Sequence, residues 1–395
     1  MKKNIIFLDL GLQPLANNYL KKKDLRKKEK KYRLKVGMNT NTNLVSIIKP
    51  LSSKAMFNNT YPYRSSMSKT MINSFKNLSK LISKKFKPKK ILEIGSNDGS
   101  FIKNFSKQKV IGVEPCSNIE KITKRLGYKT YAHYWNKKTA WKILRNHNKI
   151  NLIYSANTIS HIENLDDVFD SINIVLEDKG TLIIEDPSLL ECLKKNTYDQ
   201  FYNEHIYVFS LIGLENVLKK HNFEVYNVQK LNIHGGSNRY FIKKTNYKKK
   251  IDSSVKILRQ KEIRYGLNKL STYKSFSKRV FKSKKRLRKI FKKIILKKKK
   301  IIGYGVTAKS TTILNYCRIG NDMVNYFVDT TKDKQNKFTP GTKIPIFKYK
   351  GFIEKDIEYI FLGAWNFKDE IFKKEKKFIE EGGKFIIHTP YPKII

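Results

Sequence analysis

Apolar positions follow two periods along this chain, and the alternation between them sets its architecture. Short apolar runs at 91–94, 110–113, 152–155 and 181–185 are separated by stretches of helical periodicity. Strands and helices therefore alternate from about 63 to 245, which predicts a doubly wound α/β layer on a mostly parallel sheet. Two later runs, 225–230 and 239–243, suggest an antiparallel closing pair. Ahead of this unit, 5–10 reads as a strand entering the turn segment Gly11-Leu12-Gln13-Pro14, and 32–37 and 43–48 read as two strands joined by the polar run 38–42. Met71, Ile72, Phe75, Leu78, Leu81 and Ile82 recur at amphipathic spacing and predict a packing helix over 68–84. Residues 246–300 are basic and helical, with Leu287, Ile290, Phe291, Ile294 and Ile295 on one face; a charged outer face is the default for such a helix. A second α/β unit follows from about 299. Its first strand leads into Gly303-Tyr304-Gly305, a helix runs through Cys317, and strands are expected at 324–328, 359–362 and 384–388. The expected division is 1–62, 63–245 and 246–395, the last comprising a helical linker and an α/β unit.

Length and charge narrow the class. A chain of 395 residues exceeds one core and should hold two or three. No run of eighteen apolar residues occurs, so no membrane span is expected, and the N-terminus lacks the apolar region of an export signal. Cys116, Cys192 and Cys317 are far apart and odd in number, which suggests free thiols in a reducing, cytoplasmic setting. The formal charge of +50 invites a nucleic-acid reading. Its excess is lysine spread from end to end, without the arginine clusters and exposed aromatics that read bases, so solvated faces are the better account.

The most informative segment is KILEIGSNDGSFIKNFSKQKVIGVEP, residues 90–115. A strand ending at Glu93-Ile94 meets the turn Gly95-Ser96-Asn97-Asp98-Gly99, a helix-like stretch follows, and a second strand stops at Glu114. That order places a nucleoside cofactor across the carboxyl edge of a parallel sheet, with Glu114 accepting both ribose hydroxyls. The third glycine of the dinucleotide pattern is missing, so the turn E-x-G-x-x-x-G resembles instead the first motif of S-adenosylmethionine-dependent methyltransferases. Three further segments bear chemistry. Asn157 and His161 follow the third strand, where that fold borders cofactor and substrate. Tyr202, Glu204 and His205 gather a phenol, an acid and a base after the fourth strand. His234-Gly235-Gly236-Ser237-Asn238-Arg239 pairs glycines that admit a ligand with an outward histidine. Of His161, His205, His221 and His234, at least one is a bystander, and His221 is the choice. No CxxC or HExxH occurs to suggest a metal.

Read together, LDLGLQPLANNYL, YPYRSSMSKTM, LEIGSNDGSFI, the Asn157/His161 segment, YNEH, HGGSNR, GYGVTAKS and PGTKIPI resemble, in order and spacing, the S-adenosylmethionine-dependent sugar C-methyltransferases that branch nucleotide-linked keto-deoxysugars. The resemblance spans nearly the whole chain. It implies a Rossmann-like methyltransferase domain flanked by a small N-terminal module and a C-terminal α/β domain, closing over a nucleotide sugar. By position it assigns S-adenosylmethionine to Glu93, Gly95, Asn97, Gly99, Glu114 and Asn157. The reacting carbon would be lined by Tyr63, Asn157, His161, Tyr202, Glu204 and His205. His234, Gly235, Ser237, Arg239, Gly303, Gly305 and Lys309 would face the sugar nucleotide, with Lys309 on its diphosphate. The expected chemistry is an enolate formed beside a ketone, with His205, steered by Glu204, as the base. The family's N-terminal module binds zinc through cysteines; here Asn39 and Thr42 stand at a CxxC and no cysteine precedes Cys116, so the module is expected to be zinc-free. A monomer or small homo-oligomer is expected.

Two other readings compete. Gly303-x-Gly305-x-x-Ala308 with Asp329 satisfies the dinucleotide fingerprint formally and would suit an NAD-dependent sugar-modifying enzyme. A cationic nucleic-acid binder using 246–300 would leave the YNEH and HGGS segments without a purpose.

Overall fold

The computed structural model describes residues 4–351 and 357–395 and places them in three sheets. Strands β1 (Asn4–Gln13), β2 (Tyr32–Asn39) and β3 (Val45–Ile47) form an antiparallel sheet at the front of the chain. β1 runs on through the segment expected to turn. Gly11 takes a φ of 75°, its N–H bonds the Asp9 carboxylate at 2.9 Å, and the register slips between Asp9 and Leu12, so a bulge absorbs the irregularity.

The central sheet uses β4 (Ile91–Ile94), β5 (Val110–Val113), β6 (Lys129–Tyr131), β7 (Ile150–Ala156) and β8 (Leu176–Pro187), all parallel, in the spatial order β6-β5-β4-β7-β8. Every residue of β4 and β5 is buried, as a sheet covered on both faces requires. A short β9 (Tyr207–Val208) leaves to pair with β3, tying the leading module to the segment after the fourth expected strand. β10 (Phe223–Leu231) and β11 (Ser237–Lys244) close the sheet as an antiparallel hairpin, with β11 inserted beside β8. Strand order reverses between β4 and β7, and a crevice opens there at the carboxyl ends.

Two local expectations fail. No α-helix follows the glycine turn: two 3-10 turns, Ile102–Asn104 and Lys107–Lys109, stand there, and the Asn104 amide reaches back to the carbonyls of Ser100 and Phe101 at 3.1 and 2.9 Å. The short β6 and β9 went unpredicted, as did three strands of the last unit, Lys337–Phe338, Pro345–Lys348 and Lys393–Ile394. Elsewhere the periodicity holds: the helix Lys69–Lys85, capped by Ser68, buries Met71, Phe75, Leu78 and Ile82. The helix Leu270–Leu296 buries Leu287, Phe291 and Ile294 with Ile290 and Ile295 half-buried beside them. Its apolar stripe is therefore covered by protein.

The last unit repeats the doubly wound plan. β12 (Lys300–Tyr304), β13 (Phe327–Asp329), β14 (Lys337–Phe338), β15 (Pro345–Lys348), β16 (Ile357–Leu362), β17 (Lys384–Ile387) and β18 (Lys393–Ile394) lie in the order β14-β15-β13-β12-β16-β17-β18, with only β14 and β18 antiparallel. Its reversal falls between β12 and β16. Leu20 and Phe338 exchange backbone hydrogen bonds at 2.9 Å, joining the first module to the last unit. Among the described residues no helix is long and apolar enough to cross a membrane.

Candidate active site

Both crevices open into one cavity of about 850 Å³, roofed by residues 52–68. The expected cofactor turn forms one wall. Gly95 takes a φ of 76° and donates to the Val113 carbonyl at 2.8 Å; a Cβ there would lie 2.0 Å from Thr158 Oγ1, so only glycine fits. Asn97, at a φ of 47°, donates its N–H to Glu114 Oε2 at 2.9 Å, and the Cys116 N–H meets Glu114 Oε1 at 2.9 Å. Two backbone amides thus hold the Glu114 carboxylate at the cavity wall, each oxygen retaining a lone pair for a ligand. The Asn97 side chain accepts from the Ser65 N–H at 2.8 Å and donates to the Tyr63 carbonyl at 3.2 Å, fixing the roof to the turn.

Glu93 lies at the same wall, buried, with Oε2 unpartnered. Burial raises its carboxyl well above the ordinary range, and the charges of Asp98 and Glu114 add to the rise. A cationic ligand relieves that repulsion. The pocket suits a nucleoside bearing positive charge, which S-adenosylmethionine is. Gly99 does not reach the cavity: its φ of 77° serves the turn, and its α-carbon packs on Thr123.

Opposite lies the Tyr202–His205 pair. His205 Nδ1 donates to the Gln200 carbonyl at 2.9 Å, because a carbonyl can only accept. The neutral ring therefore leaves Nε2 bare, and Tyr202 O–H donates to it at 2.6 Å. Burial, then the neighbouring His161 and Lys309, hold His205 well below the ordinary imidazole range, so it is neutral at pH 7. Glu204 does not steer it. Its carboxylate instead accepts from Asn17 at 2.7 Å and Tyr61 at 2.9 Å, and burial pushes it up to about 7. Asn17 and Tyr61 come from the leading module and the roof; both lie in segments that carry the resemblance, LDLGLQPLANNYL and YPYRSSMSKTM, but neither was named as a site residue. His161 is stacked between Phe57 and His205, with ring centroids at 5.4 and 5.0 Å and Nε2 unpartnered. Asn157, at a φ of 48°, donates to His234 Nε2 at 3.5 Å. Tyr63 lines the roof.

Of the residues expected to meet the sugar nucleotide, His234, Gly305 and Lys309 line the cavity. Lys309 is buried, 5.3 Å from the Trp365 ring, with burial lowering its ammonium to about 8. Four are placed elsewhere. Gly235 packs on Trp365; Ser237 donates to the Ile233 carbonyl at 3.2 Å; a Cβ on Gly303 would lie 2.2 Å from the Phe327 ring. Arg239 is buried in an ion pair with Glu185 and donates to Gln229 at 2.9 Å, so its charge is spent inside the sheet. His221 is held between Asp170 and Asp166 at 2.8 and 3.0 Å, away from the cavity. Asp329, the acid of the competing dinucleotide fingerprint, lines the cavity, as do Lys334 and Lys374, which the sequence did not single out.

A sheet ordered β6-β5-β4-β7-β8-β11-β10, with a glycine turn and acid at its switch point, defines a Rossmann-like methyltransferase. Two family models and a curated relative agree. Residues 63–228 match a family model described as "Methyltransferase domain", and 232–390 one described as "C-methyltransferase C-terminal domain". The C-methyltransferase NovU of Streptomyces niveus is 28% identical over 307 residues, which span 77% of this chain and 73% of that protein. Among solved structures, the magnesium protoporphyrin IX methyltransferase of Synechocystis PCC 6803 is 10% identical with a TM-score of 0.34, covering 43% of this chain and 82% of that one. The plantazolicin methyltransferase BpumL is 15% identical with a TM-score of 0.33, covering 43% and 82%. The chain is an S-adenosylmethionine-dependent methyltransferase, similar over most of its length to C-methyltransferases.

One expectation is corrected. Residues 2–57 match a family model described as "Putative zinc binding domain", which overturns the reading of a module outside zinc binding. Among the described residues no three His, Cys, Asp or Glu side chains gather as a metal-ligand set.

Proposed function

We propose that this C-methyltransferase alkylates the carbon beside the ketone of a nucleotide-linked keto-deoxysugar, and that 1–62, 63–245 and 246–395 act as lid, cofactor domain and nucleotide-binding domain. The observation that carries the reading is the Tyr202–His205 pair, with its bare Nε2, in the same cavity as the Glu114 turn and Lys309. Carbon is a poor nucleophile unless a carbonyl acidifies its hydrogen. His205 Nε2 takes that proton, directly or by way of the Tyr202 oxygen, and the electron pair passes into the enolate. Asn157 and His161 stand beside it to bond the developing oxyanion. S-adenosylmethionine, when bound, would supply the methyl group that the enolate carbon takes up, its carbon–sulfur bond breaking and S-adenosylhomocysteine leaving. Glu93, Asn97 and Glu114 orient it, Gly95 admits it, and the roof over 52–68 excludes water.

Calorimetry should detect S-adenosylmethionine binding and none of NAD. Tight NAD binding would favour the dehydrogenase reading, which the packing of Gly303 against Phe327 already weakens. Labelled cofactor with a panel of nucleotide-linked keto sugars tests the reaction itself; methyl transfer to none of them, with transfer to another acceptor, would reject the substrate class. Glu114→Gln should weaken S-adenosylhomocysteine by about tenfold to a hundredfold, the worth of a hydrogen bond to a charged group. Unchanged affinity would remove Glu114 from cofactor contact.

A further inference from the structure

A seam of buried polar groups joins the central and last units behind the cavity wall, and the reaction proposed above makes no use of it. Asp199 stands in the 3-10 turn Tyr198–Gln200, just ahead of the Tyr202–His205 pair. Its Oδ2 accepts the indole N–H of Trp365 at 2.5 Å and the Nε2–H of His388 at 3.1 Å. Trp365 follows β16 and His388 follows β17, so both partners belong to the last unit. Asp199 and His388 are wholly excluded from solvent, and Asp199 Oδ1 is left unpartnered. A buried carboxylate with one oxygen unbonded is costly, and apolar side chains would fill such a seam without that cost.

Lys309 shows what the carboxylate serves. Its ammonium lies 5.3 Å from the centre of the Trp365 ring and 3.4 Å from the His234 carbonyl, which also accepts from Gln200 Nε2 at 2.6 Å. Gly235, of the segment HGGS, makes room for the indole: a Cβ there would lie 2.4 Å from the ring. On its other side Asp199 adjoins Gln200, whose carbonyl fixes His205 Nδ1 at 2.9 Å. Burial draws the Asp199 carboxyl upward, but His388, Lys309 and Trp365 hold it below the ordinary range, so it is an anion at pH 7. Burial lowers the Lys309 ammonium to about 8, and the Asp199 charge opposes that fall. The other titratable groups facing Lys309 are uncharged: burial pushes the Cys192 thiol up to about 12, lowers His234 to about 3 and holds His205 well below the imidazole range.

We propose that Asp199 is a positioning residue, which holds the Lys309 ammonium, by way of the Trp365 indole, in fixed relation to His205. The anionic end of the substrate and the carbon to be deprotonated are thereby kept in one frame, although their partners come from different units. An anion bonded directly to the ammonium would compete with the substrate for it; Asp199 gives its bonds to Trp365 and His388 and acts on Lys309 through space. The inference rests on the reading of Lys309 as the contact for a diphosphate.

The test titrates the full chain, saturated with S-adenosylhomocysteine, with dTDP, UDP, CDP and GDP at pH 6.5 and pH 8. Asparagine at 199 keeps an acceptor for the indole and drops the charge. Asp199→Asn should weaken the tightest of these diphosphates about fivefold at pH 8 and only about 1.3-fold at pH 6.5, as expected of an ammonium whose pKa falls from about 8 by about one unit. S-adenosylhomocysteine should bind as before at both. Lys309→Met should weaken the diphosphate by about tenfold or more at pH 6.5, and adding Asp199→Asn to it should bring no further pH-dependent loss. A loss from Asp199→Asn that is absent, equal at the two pH values, or still pH-dependent beside Lys309→Met overturns this inference and leaves the diphosphate reading standing. Full affinity in Lys309→Met, or no binding of any of the four, overturns both. Should Asp199→Asn fold poorly, Trp365→Phe decides: it keeps both charges and a ring beside the ammonium but loses the N–H that ties them. It should weaken the diphosphate about threefold to tenfold at pH 6.5 with S-adenosylhomocysteine unaffected, and unchanged affinity overturns the inference.

Discussion

His205→Asn should lower turnover by about a thousandfold or more while S-adenosylhomocysteine binds as before, since positioned general bases contribute on the order of 10² to 10⁴. The cofactor wall is built from β4, β5 and their turns, whereas the His205 ring is held by the Gln200 carbonyl and Tyr202. Asparagine keeps a donor for the Gln200 carbonyl but lacks the basic nitrogen that Tyr202 O–H meets at 2.6 Å. Tyr202→Phe should lose nearly as much, and the double variant little more, because the two act on one proton and such losses do not add. The decisive readout separates deprotonation from methyl transfer. With S-adenosylhomocysteine in place of the methyl donor, the enzyme should exchange the hydrogen beside the ketone with deuterium from solvent, and His205→Asn should not. Near-normal turnover in the variant, or exchange at the usual rate, would move the base elsewhere, first to His161 with its free Nε2.

The sequence was most legible where one physical constraint dominates. Buried parallel strands must be continuous apolar runs, so β4 and β5 stand where periodicity put them. Gly95 had to be glycine because its φ and Thr158 forbid a Cβ, and a glycine between a strand and an acid is visible without a structure. Contacts between distant segments left no such trace. Glu204 sits beside His205 in the chain, which made it the natural partner, yet the backbone turns it toward Asn17, 187 residues away in sequence. Arg239 looked like a ligand residue for the same reason: a charge beside paired glycines. Strand alternation along β11 instead points it at Glu185 on the neighbouring strand. Short strands such as β6 and β18 carry too few residues for a period to register.

That reassignment of Arg239 has a measurable outcome. Arg239→Leu should destabilise the fold by about 3–5 kcal/mol, the loss expected when one partner of a buried ion pair is removed. Glu185 would keep its burial and lose the guanidinium that, in the intact protein, opposes the upward pull of burial on its carboxyl. Adding Glu185→Leu should restore most of the loss, since two apolar groups fill the site without an uncompensated charge. The pH dependence follows with a definite sign. An unpaired buried carboxyl titrates above its unfolded value, so stability is retained at low pH, where it is protonated, and lost as pH rises through the folded pKa. The deficit of Arg239→Leu should therefore be smallest near pH 4 and grow toward pH 8, while the double variant shows little such slope. Denaturant titration across that range reads both. A substrate-binding arginine predicts the reverse pattern: unchanged unfolding midpoints, a raised KM for the nucleotide sugar, and no rescue from Glu185→Leu.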